Sequence, residues 1–167
     1  AAGDCAPVAT RHIVDEFTRL ISHPVFLSAF SSWFMTQILK SVVALLRNRP
    51  RTAKSILLNL FWTTGGMPSS HSAVVAALAT SVGFVQGVGT PLFIVTLFYA
   101  VLTFRDALGV RRAAGMQARA INQLLRSLAR DRKHRVKPVK EINGHTGPEV
   151  IVGALIGFFV AVAFCSL

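Results

Sequence analysis

From Val25 to Leu46 the chain runs for 22 residues with a single charge, Lys40. A helix needs about 20 apolar residues to cross the hydrocarbon layer of a bilayer. Three further stretches repeat the pattern at shorter length: Ala73 to Val88, Pro91 to Leu108 and Val150 to Phe164. Such lengths suffice where one end of a helix is recessed. Hydrophobic residues make up 52% of the chain and charged residues only 15%, whereas soluble domains carry roughly 25% charged residues. The expected fold is therefore all-α: a polytopic membrane helix bundle of about four spanning helices, with re-entrant and surface helices added.

The remaining segments fit around that bundle. Residues 1–24 form an N-terminal surface segment, where Ile13, Val14, Phe17, Leu20 and Ile21 recur at helical spacing and Pro24 ends the run. Residues 25–167 form the membrane domain. Ser55 to Thr64 is apolar but too short to cross, which predicts a re-entrant or interfacial helix anchored by Trp62. Residues 110–143 form a basic surface helix and loop. Met116, Ile121, Leu124, Leu125 and Leu128 gather toward one side of that helix. The chain opens on Ala1, which leaves room for a preceding segment, a removed targeting segment included.

Charge sets the partners. Eighteen Lys and Arg face seven Asp and Glu, a formal net charge of +11. In a membrane protein this excess marks cytoplasmic loops and contact with anionic lipid headgroups. The apolar segments, with no basic surface interleaved by aromatic residues, exclude nucleic acid as partner. Cys5 and Cys165 lie at opposite ends and suggest neither a disulfide framework nor a metal cluster. If residues 47–72 stay on one membrane face, the basic loop 47–54, His71, residues 105–140 and the start of the last helix share it. The positive-inside rule makes that face cytoplasmic, although cations placed to bind a phosphate would leave the same signal.

Two short stretches carry the chemistry. The first is Gly65-Gly66-Met67-Pro68-Ser69-Ser70-His71-Ser72. Its glycines permit a sharp turn, Ser69 or Ser70 can cap a helix, and small apolar residues follow from Ala73. His71 then lies in the first turn of a helix, where free N–H groups attract anions. The second is Gly144-His145-Thr146-Gly147-Pro148-Glu149. Thr146 and Glu149 match a capping box, and Glu149 also lies four residues after His145, within reach of its ring. A carboxylate on one imidazole nitrogen fixes the tautomer and makes the other nitrogen a better nucleophile or base. Lys40, Arg47, Arg105, Arg111 and Arg112 fall on the same predicted face. Phosphoryl transfer needs cations on the nonbridging oxygens, an in-line nucleophile and an acid for the leaving group. Two histidines can divide the last two tasks.

These motifs resemble the type 2 phosphatidic acid phosphatases, relatives of the vanadium haloperoxidases. That family carries Lys-x6-Arg-Pro, Pro-Ser-Gly-His and Ser-Arg-x5-His-x3-Asp. Here Lys40 and Arg47 keep the first spacing, with the proline displaced to Pro50. Pro68-Ser69-Ser70-His71 matches the second motif with Ser70 for Gly, and His145-x3-Glu149 matches the end of the third with Glu for Asp. The closer resemblance is to the divergent branch of the family, on residues 65–73, Asp-Ala-x-Gly-Val-Arg-Arg-Ala-Ala-Gly-x-Gln-Ala at 106–118, and Gly-His-Thr-x-x-Glu-Val at 144–150. It covers roughly residues 25–166. The resemblance implies a metal-independent, cofactor-free phosphatase of membrane lipid phosphates. In it His145 forms a phosphohistidine, Glu149 orients it, and His71 is the general acid. Lys40, Arg47, Ser69 and Ser70 hold the phosphate. The third-motif arginine would fall at Val139; Lys140, Arg111 or Arg112 is available to replace it. Asp106 has no counterpart in the parent motifs and could pair with Arg105 or Arg112, or hold an ion.

Two other functions stay open at this point. One is a non-catalytic protein that binds or transports a lipid phosphate, which the missing arginine favours. The other is a metal site of His71, Asp106, His145 and Glu149. A homo-oligomer is open as well. His12, His23 and His134 lie outside every constellation.

Overall fold

The computed structural model describes residues 8–47, 67–128, 137–139, 141 and 144–166, without the side chains of residues 8–11, 44, 47 and 128. Its helices are α1 (Val8–Ser22), α2 (Pro24–Arg47), α3 (Ser70–Gln86), α4 (Pro91–Arg105), α5 (Arg111–Leu128) and α6 (Gly147–Ser166), with a π-helical turn at Asp106–Val110 between α4 and α5. No strand occurs among the described residues. The all-α expectation holds for them, and each of these helices coincides with a periodic or apolar run in the sequence. The basic loop after Arg47, the Ser55–Thr64 helix with Trp62, and Gly65 and Gly66 lie outside the described residues. So do Lys140 and most of the loop after α5.

Local sequence explains where the helices stop. Gly87, at φ 91°, closes α3, and its N–H donates to the Gly83 carbonyl at 3.1 Å. A left-handed residue at a helix end favours glycine. Thr90 then caps α4, its hydroxyl accepting from the Phe93 N–H at 3.3 Å, with Pro91 in the first turn. The Gly-Val-Gly-Thr-Pro run is thus a stop and a start in five residues, and α3 ends at Gln86, short of the expected Val88. At the other end of α4 the expected break after Leu108 does not occur. The helix widens by one residue through the π turn and continues into α5, so Pro91–Ser127 is a continuous 37-residue helical stretch.

α3 is the central helix. It packs most extensively against α6, then against α2, while α2 and α6 also touch and α4 lies against α3. The interior is built from small residues. Ser28, Ser32 and Thr36 form a buried stripe on α2, Ala73, Ala77 and Ser81 on α3, and Gly153, Gly157 and Ala161 on α6. The α2 hydroxyls bond back to carbonyls of their own helix, Ser32 to Ser28 at 2.6 Å and Thr36 to Ser32 at 2.9 Å, so their burial leaves no orphan donor. Large apolar side chains point outward: Phe98 is 61% exposed and Phe159 64% exposed. This inverts the pattern of a water-soluble core and matches helices that associate inside a bilayer, where lipid tails cover the large side chains.

Two described stretches are long and apolar enough on their own to cross a membrane, Pro91–Ser127 and Gly147–Ser166. The expectation of four spans is therefore met in part. α3 has only 17 residues, and α2 places hydroxyls, Gln37 and Lys40 along its buried side. α1 leaves Ile13, Phe17 and Leu20 exposed, as a helix lying on a membrane surface would.

Candidate active site

The two histidine motifs meet through their backbones. Ser69 caps α3; its hydroxyl accepts from the Ser72 N–H at 3.4 Å and from the Ser72 hydroxyl at 2.8 Å. The Ser69 N–H donates to the carbonyl of Glu149, in the first turn of α6, at 3.0 Å. Below this bond Gly153 lies on the Ser69 carbonyl, and Gly157, one turn on, lies on the Ala73 carbonyl. A Cβ at either glycine would overlap those oxygens. Both partners advance by four residues together, so α3 and α6 run parallel from a common level. Their N-termini open on the same side of the bundle. This Gly-x-x-x-Gly pair is what lets the backbones approach this closely.

At the start of α6 one carboxylate oxygen serves two purposes. Glu149 Oε2 accepts from the Thr146 N–H at 3.2 Å and lies 3.0 Å from His145 Nδ1. One atom is thus placed for both the capping and the orienting contact weighed for Glu149. A carboxylate at Nδ1 calls for the tautomer with its proton there, which leaves Nε2 with its lone pair. His145 is buried, with 7% of its surface exposed.

Lys40 and Ser70 complete the floor. Lys40 near the end of α2 is 8% exposed and donates from Nζ to Ser70 Oγ at 3.0 Å. α2 therefore runs antiparallel to α3, ending where α3 begins. Gln37, one turn before Lys40, is also buried, and its Oε1 has no hydrogen-bond partner among the described residues.

His71 follows Ser70 on the open side of this floor, ahead of the apolar body of α3. The residue is exposed as a whole, but its imidazole is held below the ordinary histidine range. The protein packed around the ring is the first cause; the positive charges of Arg111 and Lys40 and the nearby His145 add to it, and Asp106 works against them. Lys40, Asp106, Arg111 and His145 thus share the electrostatic surroundings of this one imidazole.

The third set of residues arrives with the π turn. Arg111 Nε meets Asp106 Oδ2 at 2.6 Å. The sequence suggested Arg105 or Arg112 as the partner of Asp106, and the structure replaces both with Arg111. The reason is the wider π turn, which the spacing of the sequence did not announce. Gly144, just before His145, lies directly on the backbone of Arg111 and Arg112, with no room for a Cβ.

Of the candidates read from the sequence, the structure gathers Lys40, Ser69, Ser70, His71, Asp106, Arg111, His145 and Glu149. Arg112 is exposed and is not among the charges that act on His71. The Arg47 side chain and Lys140 are outside the described residues. No three His, Cys, Asp or Glu among the described residues are placed to hold a metal ion, so the metal alternative finds no support in their arrangement. Sequence reasoning missed Asn122. Its side chain accepts from the Val139 N–H at 2.8 Å and donates to the Val139 carbonyl and to Glu141, both at 2.9 Å. It ties the chain returning toward His145 onto α5. A single Asn within a polar helical run carries no signal of such a clamp.

The pattern that defines the Divergent PAP2 family matches residues 21–160. The chain belongs to the divergent PAP2 family. The match spans α2 to α6 and includes every residue of the site just described. A relative in this sense is the "Uncharacterized membrane protein YuiD" of Bacillus subtilis (strain 168), 36% identical over 152 residues, covering 84% of this chain and 93% of that protein. No solved structure matches the chain. The protein is thus a helical membrane protein of the divergent PAP2 family, consistent with its inverted packing of small residues inside and large apolar residues outside.

Proposed function

We propose that this protein is a multi-pass membrane phosphatase that hydrolyses a lipid phosphate monoester through a phosphohistidine on His145. The observation that carries the reading is the Ser69 N–H to Glu149 carbonyl bond at 3.0 Å. It joins residues 80 apart in the sequence at two helix starts, each bearing a histidine. In the proposed reaction the phosphate sits between those starts, with Lys40 on its nonbridging oxygens. Arg47, Ser70 and the arginines after Asp106 are further candidates for that role, whereas Ser69 acts through its backbone and cap. His145 Nε2 attacks phosphorus as the bond to the lipid oxygen breaks, and protonated His71 gives its proton to that oxygen. Glu149 holds the Nδ1 proton and balances the charge that develops on the ring. Neutral His71 then takes a proton from water, whose oxygen attacks phosphorus. The P–N bond breaks, and inorganic phosphate and His145 are regenerated.

In this reading α2 and α3 also cross the bilayer beside α4 and α6. The excess of Lys and Arg on the site's side supports a site at the cytoplasmic leaflet. The test is phosphate release from phosphatidic acid or a prenyl phosphate in mixed micelles by the purified protein. Release that disappears in His145→Ala and His71→Ala is expected. Full activity in His145→Ala, or no release from any lipid phosphate, refutes the reading.

A second reading has a specific observation in its favour. Val139 stands where the parent motif has an arginine, and both its backbone groups are held by Asn122. A protein that binds lipid phosphate without turnover would tolerate that change. Saturable binding of phosphatidic acid with no phosphate released separates the two.

A further inference from the structure

We propose that the π turn at Asp106–Val110 is the device that presents Arg111 to an anion at the His71–His145 pocket, and that Asp106 is a positioning residue acting through Arg111. This deepens the proposed site, since it names how a second cation joins Lys40 there, and it rests on that reading only for the presence of an anion between the histidines.

The argument begins with helical register. Each residue of an α-helix advances by about 100°, so residues five apart point to different faces and their side chains do not meet. In a π turn the N–H of residue i+5 bonds to the carbonyl of residue i, and those two residues stack. Here the Arg111 N–H donates to the Asp106 carbonyl, and the Arg111 Nε reaches Asp106 Oδ2 at 2.6 Å. The pair exists because of the turn. The pair does not explain the turn in return, because both side chains are well exposed, 48% and 39%, and exposed ion pairs contribute little stability. Interrupted helical register of this kind gathers at functional sites.

The turn is also fixed in place. Gly144 lies on the backbone of Arg111 and Arg112 immediately before His145, so the end of the π turn is packed directly against the loop that carries His145. Both Asp106 and Arg111 act electrostatically on His71. Asp106 engages only the Nε edge of the guanidinium. The terminal nitrogens of that planar fork are the pair suited to two oxygens of a tetrahedral anion.

The sign of one substitution decides the matter. As a bare negative charge near the pocket, Asp106 repels an anion, and Asp106→Asn would tighten binding. As the residue that fixes Arg111, its loss weakens binding. The experiment titrates inorganic phosphate into the full chain in detergent micelles and follows the His71 and His145 imidazole signals by NMR. Asp106→Asn and Arg111→Lys are each expected to weaken phosphate binding on the order of tenfold. Asp106→Asn in an Arg111→Gln background is expected to weaken it no further, because the two act as one element. Binding by Asp106→Asn that is equal to or tighter than the parent's, an additive double variant, or no phosphate binding by the parent overturns the proposal. The readout is independent of turnover. If binding falls as stated while no lipid phosphate is hydrolysed, the phosphatase reading fails and this one stands. If Asp106→Asn binds phosphate unchanged and hydrolyses normally, this one fails alone.

Discussion

Replacing Glu149 by Gln separates the two tasks that its Oε2 performs. The amide oxygen of Gln can still accept the Thr146 N–H, so the start of α6 keeps its cap. What it cannot keep is the negative charge 3.0 Å from His145 Nδ1. A hydrogen bond to a charged group contributes about 1.5–3 kcal/mol. The Glu149 side chain is 19% exposed and that of His145 9% exposed, so solvent screens the pair only in part. Taking about 2 kcal/mol predicts about a thirtyfold fall in kcat. A Gln that turns its NH2 toward Nδ1 would favour the opposite tautomer and remove the Nε2 lone pair as well, which makes thirtyfold a lower figure. Glu149→Ala loses the cap too and adds about 1 kcal/mol of destabilisation. The assay is phosphate release from phosphatidic acid in mixed micelles, with thermal unfolding in the same detergent. Glu149→Gln should unfold with the parent and turn over slowly; Glu149→Ala should fall on both counts. A Glu149→Gln protein with the parent's kcat would refute the orienting role and leave Glu149 as a cap.

Three further outcomes are expected. The free His71 imidazole titrates below the ordinary ~6.5 of histidine, lowered by its surroundings and by Arg111 and Lys40. A general acid must be protonated, so kcat/KM should fall as pH rises through that lowered value, and Arg111→Gln should move the limb to higher pH; a flat profile from pH 5 to 7 would contradict the assignment. Gly157→Val places a side chain on the Ala73 carbonyl, which should cost about 1–3 kcal/mol of stability by overpacking and abolish activity, while Phe159→Ala on the exposed face should do neither, as thermal unfolding will show. Lys40→Met removes a buried charge for a side chain of similar volume, so thermal stability should stay level or rise while phosphate binding weakens on the order of tenfold or more, read by the same histidine NMR titration.

The helices were legible in the sequence because each is marked twice, by its apolar run and by its ends. Gly87 with Pro91, and Ser69 before the Ala-rich run, fixed the limits of α3 to within two residues. The histidine-bearing starts were legible for the same reason, since caps and glycines are local features. Two things were not. The π turn has no compositional mark, since Asp-Ala-Leu-Gly-Val reads equally well as the end of a helix, and so the Asp106–Arg111 pair went unseen. The Asn122 clamp depends on a chain reversal that no local pattern encodes. The expectation of four spans is met only in part by length and apolarity, for a physical reason: the small and hydroxylated residues that let α2 and α3 pack also lower their apolarity.

The charges at the site raise a question that the geometry answers. Lys40 and Arg111 supply two positive charges, and Glu149 and Asp106 supply two negative ones, so with neutral histidines the formal sum is zero. A phosphate dianion would gain little from such a set if all four groups faced it equally. They do not. Each carboxylate is turned onto a donor of its own, Glu149 onto His145 and the Thr146 N–H and Asp106 onto Arg111 Nε. Meanwhile α3 and α6 start at one level and run parallel, held by the Gly153 and Gly157 contacts, so the positive ends of two helix dipoles face the same space. Antiparallel helices would cancel there. The close glycine packing therefore contributes to the electrostatics directly: it sums two helix starts where the side-chain charges cancel, and it does so without adding a cation that would depress His71 further and weaken the general-acid role proposed for it.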